Sequence, residues 1–496
     1  MHTMHKNDFV FHLVRAKSAK MTNRFYPNLA LPTLASVLRD KCKVEIHDLG
    51  RDNSSNYTKY VRDTKPRVIG FTSFIDDFDE VLSLASECKQ ASGNSVIVVG
   101  GPHVSLLGEA INKLTKSVDF AVVGDGEPAI GDLLKMLADY DGRPKFDKTF
   151  IIRPKYLYSL QSASWPAWDL YDRTPFFPVL PIETSRGCTY ACKYCGEGQM
   201  YGKKVRAKSV EQVVMELKRN VEELGVRFFR FTDSTLNFSK KRFFDLCRAF
   251  VDSGLDIHWS AYARFENIDA NAVALAKEAG CVALFFGVES GSESILKAMR
   301  KNLTNFDHMQ RVVAAAKDTG VHTHCNFIVG FPDESAHTVS ETVQFIRNLN
   351  PDSVHISTFF VVPETDVHIN AEKYGIRFLD PNWIPNLHRF FGDSTYSYFR
   401  HRTMTQEDIR KYYFVMRNEV EKINTIYWNL KDHLLLTWLS AGGNVEGLKK
   451  IWREPDKYLN RHELEHFEAF KEKDIHKVDD EQNGNAVIRD LAIKFR

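Results

Sequence analysis

Arg186-Gly-Cys-Thr-Tyr-Ala-Cys-Lys-Tyr-Cys-Gly196 sets three thiols, Cys188, Cys192 and Cys195, in a C-x-x-x-C-x-x-C spacing with glycine on either side. Three thiolates on one short loop can ligate three irons of a [4Fe–4S] cluster and leave the fourth iron open. An open iron is a place for a substrate or cosubstrate to bind and receive an electron. Ferredoxin-type clusters close all four positions with cysteine. A zinc site would want a fourth ligand nearby, and its usual spacing is two pairs rather than a triplet.

Working outward, the loop follows an apolar stretch, 181–186, that reads as a strand. Further strands are expected at 227–232, 257–262, 282–288, 322–329 and 353–360, with helices such as Val210–Glu223 and Thr338–Leu349 between them. Six β/α units make an incomplete version of the (β/α)8 barrel, with the cysteine loop at the end of the barrel that carries chemistry. Strand alternation then sorts side chains. Trp259, Ala261 and Ala263 suit the helix layer, which turns Ser260, Tyr262 and Arg264 inward. Cys325, Phe327 and Val329 face out and leave His324 and Asn326 inside; Val354, Ile356 and Thr358 face out and leave His355 and Ser357 inside. Arg230, Thr232 and Glu289 complete the inward set. A close-packed barrel would fill this space with Val, Ile and Leu, so these polar groups must meet a ligand, water or one another. Tyr262, Arg264, His324 and His355 are the candidate catalytic side chains.

The first 140 residues also alternate, with strands expected at Phe9–Val14, Lys43–His47, Arg67–Thr72, Ser95–Val99 and Asp119–Val123, and helices including Asp76–Gln90 and Pro128–Ala138. That pattern predicts a doubly wound parallel, Rossmann-like sheet with ligands at the carboxyl ends of its strands. Thr72-Ser73, Gly100-Gly101-Pro102-His103 and Gly124-Asp-Gly126-Glu127 end three of those strands and converge on one crevice, where glycines allow close approach of a ligand to the backbone. No G-x-G-x-x-G follows the first strand, which speaks against a nicotinamide or flavin dinucleotide.

The expected domains are 1–140, a linker over 141–180 with the aromatic turn Trp165-Pro-Ala-Trp-Asp169, the partial barrel over 181–395 and a helical region over 396–496. With 496 residues the chain is too long for one core. A net charge of +2 argues against a broad nucleic-acid or anionic-membrane surface. Cys42, Cys88, Cys247, Cys281 and Cys325 show no pairing rhythm and read as free buried thiols of a reducing compartment, hence a cytoplasmic location. No apolar run is long enough for an integral membrane segment. The aromatics Trp383, Phe390, Tyr396 and Tyr398 either line a cavity or fill the core of a helical subdomain.

The cysteine loop, with Tyr194 just before its last thiol, resembles the signature of the radical S-adenosylmethionine (radical SAM) family. Phe285-Phe-Gly-Val-Glu-Ser-Gly291 resembles the family's fourth-strand segment, whose glutamate helps hold SAM, and Phe327-Ile-Val-Gly-Phe-Pro332 its fifth-strand segment near the adenine. Phe231-Thr-Asp-Ser234 stands where many members carry Gly-Gly-Glu, and Val362-Pro-Glu-Thr365 resembles a Pro-Gly-Thr turn with Glu364 in place of glycine. The resemblance implies SAM-binding roles for Tyr194, Asp233, Arg264, Glu289, Ser290, Asn326 and Gly330. The first 140 residues resemble the cobalamin-binding domain found in front of many radical SAM enzymes, and their Tyr26-Pro-Asn-Leu-Ala-Leu-Pro-Thr-Leu-Ala35 resembles its helix entry. This implies cobalamin contacts at Thr72, Ser73, Gly100, Gly101, Pro102, His103, Gly124, Gly126 and Glu127. Asp-x-His-x-x-Gly is absent, so His103 is expected to line the crevice rather than bind cobalt.

Such an enzyme takes an electron from a flavodoxin- or ferredoxin-type donor and cleaves SAM to a 5′-deoxyadenosyl radical. With cobalamin it most commonly methylates an unactivated carbon of a small-molecule, natural-product-like substrate. The alternatives are a rearrangement, dehydration, epimerisation or cyclisation from the same radical start, with or without cobalamin in the first domain. An iron–sulfur electron carrier without catalysis is a further reading, which the polar barrel interior argues against.

Overall fold

The computed structural model describes residues 9–17, 27–49, 54–138, 147–174, 176, 178–391, 398–423, 426–427, 433–472 and 481–494. Tyr26 and Tyr396 lie outside them, as does the side chain of Phe390. The chain divides into two compact units, one made of 1–175, 199–202 and 380–398, the other of 176–198, 203–379 and 399–496.

The first unit is a six-stranded sheet whose strand pairs are all parallel. Its strands are β1 (Val10–Arg15), β2 (Lys43–Asp48), β3 (Val68–Thr72), β4 (Val96–Gly100), β5 (Phe120–Val122) and β6 (Phe150–Ile152), in the order β2-β1-β3-β4-β5-β6. Its helices are α1 (Ala30–Leu38), α2 (Ser54–Thr64), α3 (Phe78–Ala91), α4 (Pro102–Leu107) and α5 (Gly126–Ala138). The apolar runs that predicted β3 and β4 are buried almost throughout, as strands covered on both faces must be. Sequence direction reverses between β1 and β3, the place where open α/β sheets leave a crevice. The sixth strand falls in the stretch read as linker: three residues give too short a run to register by alternation, but Phe120 and Phe150 pack edge to face, 5.8 Å apart, at the β5–β6 pair.

The second unit holds a seven-stranded sheet built from parallel pairs: β7 (Val179–Ile182), β8 (Phe228–Phe231), β9 (His258–Ala263), β10 (Cys281–Glu289), β11 (His322–Val329), β12 (Ser353–Thr358) and β13 (Ile426–Tyr427). Six strands lie in the expected β/α order, and the seventh adds to the edge at β12. The latter corrects the expectation that strands end near residue 395; two residues carry no readable period. Helices α6 (Val210–Leu224), α7 (Lys240–Asp252), α8 (Ala270–Glu278), α9 (Phe306–Thr319) and α10 (Ala336–Leu349) alternate with the strands, and α11 (Gln406–Lys422) follows. Ser209 and Gln212 close a capping box at the start of α6, and Gly225 in the left-handed region ends it. On the helix side of the sheet, Phe231 packs against Phe250 of α7 and, edge-on, against Trp259, so the outward reading of Trp259 holds.

Candidate functional site

The cysteine loop leaves β7 through Ser185–Arg186, which pairs antiparallel with Arg206–Ala207 and closes the loop at its base. Asp233, just after β8, braces that base: its carboxylate accepts from the Thr184 amide (3.1 Å), the Thr184 hydroxyl (2.6 Å) and the Ser185 hydroxyl (2.5 Å), and it is 1% exposed. This corrects its reading as a holder of SAM, because its oxygens are committed to the strand-to-loop junction. Its neighbour Ser234 instead donates to Glu197, two residues after the last cysteine. Burial raises the Glu197 carboxyl above its ordinary value. Sequence reasoning missed this pair because its members lie far apart in the chain.

Cys188, Cys192 and Cys195 are half-buried and free. Burial pushes the Cys195 thiol up to about 12 and raises that of Cys188, and each is raised further by the charge of its sister sulfurs. Two thiols held protonated beside a third sulfur are a poor local solution without a cation, and the three fit a cluster whose irons would carry the compensating charge. The loop is fixed by backbone bonds from Lys193 N to Met299 O and from Val367 N to Lys193 O, both 3.1 Å. Arg264 follows β9 with its guanidinium 3.7 Å from the centre of the Tyr190 ring and Nη1 3.8 Å from Cys192 Sγ. Burial opposes its charge, but Glu266 beside it more than offsets that and holds the group above its usual value. Asn237 fixes the Arg264 backbone on both sides, accepting from its amide at 2.8 Å and donating to its carbonyl at 2.7 Å.

Glu289 ends β10 with φ +75°, after a register shift against β11. Its carboxylate accepts from Lys301 Nζ at 2.5 Å and from the Tyr194 hydroxyl, and both Glu289 and Lys301 are buried. Burial and then the Glu289 charge hold the Tyr194 hydroxyl far above its ordinary value. Glu289 thus holds the loop's aromatic. Ser290 is turned into the fold, 3.1 Å from Thr342 Oγ1 of α10. Gly330 takes φ +93° and gives its amide to Glu334, whose carboxyl burial pushes up to about 7. Glu364 sits at φ +63°, a conformation that favours glycine, which accounts for glycine being usual in that turn.

Inside the sheet, strand register sets Tyr262, Phe285, His324 and Ser353 in one row. The Arg230 guanidinium lies 4.7 Å from the Tyr262 ring and 5.2 Å from Phe285, and Phe285 is 5.3 Å from His324. Ser353 Oγ stands 2.8 Å from both His324 Nδ1 and His322 Nε2. Asn326 and His355 form the next row, level with Gly287 and half-buried. In the first row His324 meets Ser353, which His322 shares.

In the first unit the expected crevice residues gather at the tips of β3, β4 and β5. Ser73 N donates to Gly100 O at 2.8 Å, and Ser73 Oγ to Asp77 at 3.1 Å. Gly101 has φ +108°, and a Cβ there would lie 2.5 Å from Ser73 O, so only glycine fits. Gly124, at φ +94°, donates its amide to Ser105 Oγ at 3.0 Å; Gly126 and the buried Glu127 open α5. Thr72 is buried at the end of β3, and Pro102 opens α4. His103 is 1% exposed, with no hydrogen bond to either ring nitrogen, 4.6 Å from Phe78. Burial, aided by His388, lowers it to about 3, so its ring is neutral. A glycine-walled cradle beside an unsatisfied buried imidazole fits a bulky ligand approached by backbone.

Residues 182–346 match the radical SAM superfamily, and residues 22–134 match the B12 binding domain. An uncharacterized methyltransferase of Pyrococcus horikoshii is 30% identical over 359 residues, 68% of this chain and 77% of that protein. The anaerobic magnesium-protoporphyrin IX monomethyl ester cyclase of Rubrivivax gelatinosus is 24% identical over 61% of this chain, and the match spans only 58% of the cyclase's length. Among solved structures, the radical S-adenosylmethionine methyltransferase TsrM of Kitasatospora setae, with cobalamin and a [4Fe–4S] cluster bound, shares the fold with a TM-score of 0.69 over 92% of this chain and 98% of that one, at 18% identity. The chain belongs to the radical SAM superfamily, among the members that carry a B12 binding domain ahead of the barrel.

Proposed function

We propose that this protein is a cobalamin-dependent radical SAM methyltransferase acting on an unactivated carbon of a small molecule. The observation that carries the proposal is the union in one chain of a three-thiol loop at the barrel's catalytic end with a B12 binding domain, together with the likeness to a methyltransferase. When bound, the cluster, SAM and cobalamin supply reductive cleavage of the sulfonium and a carrier for the methyl group, with electrons from a flavodoxin- or ferredoxin-type donor. The chain's own residues do the placing. Cys188, Cys192 and Cys195 would hold three irons, and Arg264 donates toward the Cys192 sulfur. Glu289, itself paired with Lys301, fixes Tyr194 within the loop, with Asn326 and the Gly330 turn as further SAM contacts. Arg230, Tyr262, Phe285 and His324, packed together inside the sheet, offer a cation and aromatic faces to the substrate.

The test is anaerobic reconstitution of the full chain, followed by incubation with SAM, a reductant and a panel of small molecules. The expected result is bound cobalamin, SAM turnover and a product heavier by one methyl group. SAM cleavage without methylated product would favour the second reading, a cyclisation without methylation, to which the likeness to the cyclase points. No SAM turnover despite an intact cluster would overturn both.

A further inference from the structure

Away from both sites, β1 and β2 run side by side at the edge of the first sheet, with His12 opposite Glu45 and Val14 opposite His47. Residues two apart on a strand share a face, so His12, Glu45 and His47 project together. His12 Nε2 lies 3.3 Å from Glu45 Oε2, and His47 Nε2 lies 3.5 Å from the same oxygen. The donor atoms of all three side chains lie within 4.8 Å of one another. These separations exceed the ~2.7–2.9 Å of a charge-assisted hydrogen bond. They match the edge of a tetrahedron built on bonds of 2.0–2.1 Å, about 3.3 Å.

The surroundings are those of a ligand set. His12 is fully buried and its Nε2 has no hydrogen bond. Its other nitrogen, Nδ1, lies 3.0 Å from the Tyr57 hydroxyl of α2, the kind of outer contact that fixes which ring nitrogen is left for a metal. Lys43 pairs with Glu45 Oε1 at 2.7 Å and Tyr60 donates to Oε2 at 2.8 Å, so the carboxylate is held in place.

We propose that His12, Glu45 and His47 bind one divalent zinc-class ion, with water in the fourth position, tying the edge strand β2 to β1. Two imidazoles and one carboxylate with an open fourth position are a zinc donor set, distinct from the sulfur set of the cluster loop.

The test is metal analysis of the anaerobically purified, cluster-reconstituted full chain after equilibration with Zn²⁺ and removal of loose metal. The expected result is one zinc per chain, retained when Cys188, Cys192 and Cys195 are all replaced by alanine and lost in both Glu45→Gln and His47→Ala. Glu45 and His47 side chains are each 21% exposed, so these variants keep the fold, which circular dichroism checks. Co²⁺ substitution should give tetrahedral ligand-field bands without sulfur charge transfer in the cysteine-free variant. No stoichiometric zinc, zinc that disappears with the cysteines, or zinc undiminished in Glu45→Gln and His47→Ala would overturn the proposal.

Discussion

The two units prepare for ligands in opposite ways. The barrel presents side chains: three thiols, a guanidinium against one of them, and a carboxylate clamped by lysine and tyrosine. The first sheet presents backbone: two strand tips at positive φ, one of which would collide with Ser73 if it gained a Cβ. A side-chain site gains its chemistry from residue identity and loses it by substitution. A backbone cradle gains its fit from what is missing and loses it by addition. The contrast predicts that the two sites fail independently.

The largest effect should come from Cys192→Ala, which removes one cluster ligand. Iron content and cluster absorption should fall to background and SAM cleavage should vanish, with cobalamin affinity unchanged; loss of both cofactors together would break the contrast. Next, Lys301→Met strands the buried Glu289 carboxylate. Removing one partner of a buried pair costs about 3–5 kcal/mol, and thermal unfolding of the barrel should show it together with weakened SAM binding. Glu334 comes third. Its folded pKa of about 7 exceeds the ordinary carboxyl value of 4.5, so the folded state binds the extra proton between those pH values. Stability should therefore be greatest below pH 4.5 for this group and fall by ~3 kcal/mol as pH rises through 7. Glu334→Gln should flatten that slope in denaturant titrations across pH.

Gly101→Ala should follow, at about 1–3 kcal/mol of backbone strain, with cobalamin lost and the cluster retained. An intact cobalamin affinity would show that the cradle is not made by the glycine. The smallest effect belongs to Glu364→Gly. Relief of a left-handed residue is worth about 1–2 kcal/mol and added chain entropy removes about 0.5–1, so the melting temperature should hold or rise slightly.

Much of this was legible in the sequence because it is local. Runs such as Val-Ile-Val-Val at 96–99 and His-Trp-Ser-Ala-Tyr-Ala at 258–263 announce strands by composition and alternation, and the thiol spacing announces itself. The expectation for Tyr262, His324 and His355 came from the same source, because side-chain period in a strand is fixed at two. What could not be read is which distant partner claims a polar group. Asp233 belongs to Thr184 and Ser185, Glu289 to Lys301 and Tyr194, and Ser290 to Thr342, each across a dozen or more residues. The His12–Glu45–His47 set was hidden for the same reason: only the β1–β2 register brings it together. The strands Phe150–Ile152 and Ile426–Tyr427 were too short to carry a period at all.

The division of the chain has a practical edge. It changes unit at 175/176, 198/199, 202/203, 379/380 and 398/399. His388, from the late return, lies 5.4 Å from Phe78 and 3.0 Å from Asp79 at the start of α3. A fragment cut after residue 175 would lack that strap and the 199–202 piece. The vitamin-binding half therefore cannot be excised as a cassette, and exchanging it between relatives means transplanting three separate stretches at once.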